Sequence, residues 1–98
     1  MKENFKNNNI SIYSSFTFNP NKNVFTGAFY LSNNTSNRIT NVQVNFLVRK
    51  HVTFKVLSTS SSILEPNASL GIKKEVTMVN NDATKPIAIK MNISYNIE

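Results

Sequence analysis

One histidine, His51, and one aspartate, Asp82, are the first residues to weigh for chemistry, because each stands alone in the chain. Nucleophilic catalysis needs a base set beside a serine or cysteine, glycoside hydrolysis needs two facing carboxylates, and zinc needs three or four nitrogen or sulfur ligands. None of these sets can be assembled here. There is no cysteine, and the acids Glu3, Glu65, Glu75, Asp82 and Glu98 are scattered, mostly in turns and tails. The serines lie in loops without a G-x-S-x-G turn, and Gly27 and Gly71, the only two glycines, make no phosphate-cradling loop. The expectation is a non-enzyme with no cofactor and no metal, in which His51 is a turn or surface residue.

The cations offer a different chemistry. Formal net charge is +6 and the sequence pI is about 9.9, so the surface field attracts anions: nucleic acid, acidic lipid or an acidic peptide. Arg49, Lys50 and His51 are consecutive, and Leu47 lies just before them on a parity otherwise held by Gln43, Asn45, Arg49, His51, Thr53 and Lys55. An apolar side chain on an outer face beside positive charge is what an interaction groove needs. Lys73, Lys74 and Lys85 are read as solvated lysines on exposed faces and edges, where lysine also discourages sheet-to-sheet aggregation. Phe16, Phe18, Phe29, Phe46 and Phe54 share parity with aliphatic neighbours, which assigns them to a core and not to a platform for stacking bases.

Strands must position these groups. In Val42 to Leu57, the residues Val42, Val44, Phe46, Val48, Val52, Phe54 and Val56 fall on one parity, the period of a β-strand. A straight strand of that length would run roughly 50 Å at about 3.3 Å per residue, too long for a domain with a radius of gyration near ~13 Å. The chain is therefore expected to bend at Arg49-Lys50-His51, where Lys50 puts charge on the buried parity. That gives two strands, Thr40 to Val48 and Val52 to Leu57, meeting at a basic corner.

The remaining segments follow the same logic. Residues 1–9 are polar and rich in asparagine and read as a flexible linker, leaving residues 10–98 as one domain. Strands are expected over Ile10 to Phe18, Val24 to Leu31, Leu70 to Val79 and Ile87 to Tyr95, separated by turn-forming stretches such as Asn19-Pro20-Asn21 and Asn80 to Pro86. Gly27 should mark a bulge or a close backbone approach. No helical period persists beyond one turn. Six or seven short strands with polar turns predict an all-β fold, an immunoglobulin-like antiparallel β-sandwich without the cysteine pair of true immunoglobulin domains. No stretch reaches the ~20 apolar residues of a membrane span, and the start MKENFKNNN has no apolar leader.

Ser32 to Tyr95 resembles the ear (appendage) domain of the gamma-adaptins, shared with the Golgi-localised adaptor proteins. The matching features are Leu31-Ser32-Asn33-Asn34, Ile39-Thr40-Asn41, the Val48-Arg49-Lys50 corner where the family commonly has Val-Pro-Lys, and Phe54-Lys55-Val56-Leu57. They continue through Ser58 to Leu64, Asn80, and Met91-Asn92-Ile93-Ser94-Tyr95. The resemblance implies a non-catalytic, peptide-binding appendage of a clathrin adaptor gamma subunit on the cytoplasmic face of the trans-Golgi network, endosomes and clathrin-coated vesicles. Its partners would be short linear motifs of accessory trafficking proteins, hydrophobic-Gly-acidic/Pro-hydrophobic in pattern, and other adaptor subunits through the rest of a full-length chain. No nucleic acid, direct membrane insertion or self-association is implied.

Carried onto this sequence, the apolar trough is Leu47 and Val56, the corner cation is Lys50, and two family arginines fall on Ala88 and Lys90, with Arg49 compensating for the cation lost at Ala88. Val56 sits on the core parity, so its exposure requires a twist or bulge. The family runs on past the final tyrosine into a further strand, whereas this sequence stops at Glu98. The competing readings are a basic β domain that binds nucleic acid and an adhesion or structural immunoglobulin-like module.

Overall fold

In the computed structural model, which describes Met1–Glu98, the alternating runs become seven strands: β1 (Lys2–Lys6), β2 (Ile10–Asn19), β3 (Val24–Asn33), β4 (Ile39–Val48), β5 (Val52–Thr59), β6 (Ile72–Asn80) and β7 (Ile89–Ile97). All pair antiparallel, in a five-stranded sheet ordered β1-β2-β3-β6-β5 and a two-stranded sheet β4-β7. The molecule measures 44 × 20 × 20 Å, so the Val42–Leu57 run could not have stayed straight within it. It breaks at the basic corner, as its charge placement predicts. That corner also carries the chain out of the small sheet and into the edge of the large one.

Period-two alternation gives each sheet one apolar face, and the two faces meet. Ile10 and Ile12 of β2, Phe29 and Leu31 of β3, Ile39 and Val42 of β4, Ile72, Val76 and Met78 of β6, and Leu64 from the β5–β6 connection form the buried cluster. Aromatic rings extend it toward the corner. Phe16 stacks edge-on against Phe29, Phe29 lies on Phe46, and Phe46 on Phe54, with centroids 5.3, 5.1 and 4.8 Å apart. Phe29 is a core residue, as expected, and Phe16, Phe46 and Phe54 pack half-buried against that core. Phe18 departs from that reading: it is an exposed residue paired with Phe25 at the margin.

Gly27 is required by close approach. The β2–β3 register is unbroken through Phe16 and Gly27, and a Cβ at Gly27 would lie 2.7 Å from the Phe16 Cα. Backbone cannot swing aside as a side-chain end can, so only glycine fits.

Three expectations need correction. Lys2–Lys6, read as solvated linker, pairs with β2 as the exposed edge strand β1, because a polar segment can still hydrogen-bond its backbone along an open edge. Leu70 does not open the sixth strand; it is an exposed residue at φ 53° whose amide donates to the Ser32 Oγ, and β6 starts at Ile72. Lys74 is not solvated. It shares the inner face with Ile72, Val76 and Met78, is 8% exposed, and directs its Nζ to the Thr59 Oγ1 at 3.2 Å. Burial lowers its pKa from the ordinary lysine value.

Candidate functional site

The corner end of the small sheet collects the basic residues. In β4 the inward parity is Val42, Val44, Phe46 and Val48, so Leu47 must point out, and it is 54% exposed. Across the ladder it faces Lys90 of β7, and the ladder ends one step on with Val48 opposite Ile89, so that Arg49 and Ala88 flank its end. Directly opposed residues share a face. A shallow depression of about 250 Å³ lies here, lined by Leu47, Val48, Arg49, Ala88, Ile89 and Lys90.

Beyond the end of β4 the concavity is larger. Val48, Arg49, Lys50, His51, Lys85, Pro86 and Ala88 line a recess of about 960 Å³ between the corner and the β6–β7 connection. Its walls are held by the corner turn and by one histidine. The Val52 amide donates to the Arg49 carbonyl at 3.0 Å, the His51 carbonyl accepts from the Asn81 amide at 2.7 Å, and the His51 Nε2 lies 3.0 Å from the Pro86 carbonyl. A carbonyl only accepts, so Nε2 carries the proton and donates. His51 is thus a strap between corner and loop, more than the bland turn histidine expected of it.

The loop opposite is built around Asp82. Its Oδ1 accepts from the Thr84 hydroxyl at 2.6 Å and the Thr84 amide at 3.0 Å, and its Oδ2 sits 3.9 Å from the Lys85 Nζ. The bonds from Thr84 hold the Asp82 carboxyl below its ordinary pKa, with a smaller contribution from the charge of His51. Asn80 secures the other side: its Nδ2 donates to the Lys85 carbonyl at 2.9 Å, and its carbonyl accepts from the Asn23 amide side chain.

Of the six residues expected to form the site, the structure gathers Leu47, Arg49, Lys50, Ala88 and Lys90 around these two depressions. Val56 lines neither. It faces Val76 across β5–β6 and so stays on the inner parity, yet is 40% exposed because it lies on an edge strand that the small sheet leaves uncovered. A register shift follows it, between Val56 and Ser58, and Leu57 in that shift is exposed as well. Sequence reasoning read Lys85 as a solvated lysine and Pro86 as part of a turn and left both out of the site; a proline closing an Asp-x-Thr turn just before the last strand was the available signal.

A second groove, of about 630 Å³, opens on the far flank of β7, where Phe16, Phe25, Phe29, Met78, Ile87 and Ile89 form an apolar floor. β7 pairs only with β4, so its other edge is unpaired here. No group of three or more His, Cys, Asp or Glu side chains suited to holding a metal ion occurs anywhere in the chain.

Comparison with known proteins agrees with this architecture. Residues 3–98 match the family model described as Adaptin C-terminal domain. The chain superposes on the crystal structure of the GAE domain of GGA2p from Saccharomyces cerevisiae with a TM-score of 0.86 at 23% identity, covering 98% of this chain and 83% of that one. The yeast GGA1 GAE domain gives a TM-score of 0.87 at 21% identity, covering 98% and 85%. No curated protein sequence matches.

Proposed function

The chain belongs to the adaptin C-terminal domain family, and from that premise we propose that it is a non-catalytic ear that recruits trafficking proteins by holding short extended peptides at its corner. One observation carries the reading: Leu47 stands exposed beside Arg49, Lys50 and Lys90, none of which is in an ion pair. A hydrophobic side chain of the peptide rests on Leu47 and the Ala88 backbone, acidic groups meet the cations, and a second hydrophobic residue reaches Val56. β4 and β5 are both sheet edges at this corner, so an extended chain also finds unpaired backbone groups to bond. The motif class is hydrophobic-Gly-acidic/Pro-hydrophobic, and the setting is the gamma-type adaptor of clathrin-coated vesicles at the trans-Golgi network and endosomes.

Two small anchors and a few exposed charges give weak binding, on the order of −5 to −8 kcal/mol, which is micromolar or weaker. Several motifs on one partner raise the avidity. The test is a titration of the isotope-labelled domain with a phenylalanine-glycine-acidic-leucine peptide. Amide shifts should centre on Leu47, Lys50, Val56 and Lys90; unperturbed signals there at millimolar peptide would place the site elsewhere.

A further inference from the structure

The corner recess holds more positive charge than the acidic residue of a simple motif neutralises. Arg49, Lys50, His51 and Lys85 all line it, and no carboxylate is among its lining residues. Lys85 pairs with Asp82, whose Oδ2 lies 3.9 Å from its Nζ and whose Oδ1 accepts from Thr84, so the unneutralised charge at the recess is that of Arg49 and Lys50. Arg49 and Lys50 have no acidic partner within ion-pair distance. The two walls are also joined, since the His51 strap ties the corner to the loop that carries Lys85.

We infer that this recess receives the phosphoryl group of a phosphorylated serine or threonine in the bound peptide, so that phosphorylation of the partner strengthens its docking. The inference rests on the peptide-binding reading above and adds a chemical class of ligand to it. A carboxylate brings one charge and two oxygens, which leaves part of the recess unmatched. A phosphoryl group brings about −1.5 to −2 charges and three strong acceptor oxygens, suited to the guanidinium fork of Arg49 with ammonium groups on either side. The recess volume of about 960 Å³ admits it without displacing the strap. Because recess and depression share Val48, Arg49 and Ala88, the phosphorylated residue lies within about two positions of the hydrophobic anchor at roughly 3.3 Å per residue.

Fluorescence anisotropy with three labelled peptides tests this. They share one hydrophobic-Gly-acidic-hydrophobic motif and carry serine, glutamate or phosphoserine two residues before the first anchor. The phosphoserine peptide should bind roughly tenfold tighter than the serine peptide, with the glutamate peptide gaining about twofold at most. Lys85→Gln should cut the phosphoserine gain to about threefold and leave the serine peptide within about twofold of wild type, whereas Arg49→Gln weakens both. Equal binding of the serine and phosphoserine peptides overturns the inference while the peptide reading stands. Failure of all three peptides to bind overturns both. A gain that survives Lys85→Gln in full removes the phosphoryl group from the recess. Capture of vesicles containing phosphatidylinositol phosphates, with no preference among the peptides, would make the ligand a lipid headgroup and end the phosphopeptide reading.

Discussion

The two ends of strand β4 are built from the same kind of sequence and do opposite things. At its start, Ile39 is fully buried and exchanges two backbone bonds with Leu64, at 2.9 and 2.8 Å, while the Val42 amide donates to the Ser62 carbonyl. Asn33 closes that end: its Nδ2 donates to the carbonyls of Asn37, Leu64 and Glu65, and its Oδ1 accepts from the amide and hydroxyl of Thr35. At the other end Val48 is only half-buried, Leu47 is bare, and the neighbouring cations have few partners. A connecting segment folds over the first end, whereas at the second the β6–β7 connection stands across an open recess and leaves Leu47 bare. The difference separates stability from recognition along about ten residues of one strand.

The largest expected contrast comes from truncating one leucine at each end. Leu64→Ala removes a fully buried side chain and should cost about 3–4 kcal/mol in denaturant unfolding. Leu47→Ala should cost less than about 0.5 kcal/mol, since no cavity forms at an exposed site. Asn33→Ala comes next: it removes a buried amide that joins three carbonyls to Thr35 and should destabilise by about 2 kcal/mol, with hydrogen exchange accelerating first around residues 33–39 and 64–68. At the corner, Leu47→Ala and Lys50→Ala should each weaken the motif peptide about tenfold, or about 1.4 kcal/mol, measured by the same amide titration.

Lys74 tests the boundary between the two regimes. Its side chain lies on the inner face and its ammonium has one hydroxyl partner and no acid, so Lys74→Met should stabilise the fold by about 1 kcal/mol near neutral pH. The sign with pH follows from its lowered pKa. Above that pKa the unfolded chain binds more protons than the folded one, so wild-type stability should rise with pH up to the ordinary lysine value, and the methionine variant should lack that rise. The smallest effect belongs to Asp82, whose depressed pKa makes its contribution present above the ordinary aspartate range and lost as pH falls through the lowered value. The amide signals of Asp82 and Thr84 should shift over that acidic window, while Asn33 and Leu64 stay unchanged.

Much of this was legible in the chain. Alternation located every strand of the two sheets except β1, and the charge at Arg49-Lys50-His51 located the bend, because a β period and a desolvation cost are local properties. The exposure of Leu47 followed from parity alone. Parity placed Lys74 inward, but its charge argued for solvent, and only the packed sheets reveal that Thr59 can take its ammonium. Val56 fails in the opposite sense, being inward by parity and exposed by position at an uncovered edge.

What the sequence by itself determined is the set of faces: which side chains turn inward, where the chain must turn, and that its surface charge is cationic. The tertiary structure decided which faces are covered. Coverage depends on how far one sheet extends over another and on which distant loop lies against a strand end, as Leu64 does for Ile39 and as nothing does for Leu47. Those are relations between residues far apart in the chain, and no local period carries them.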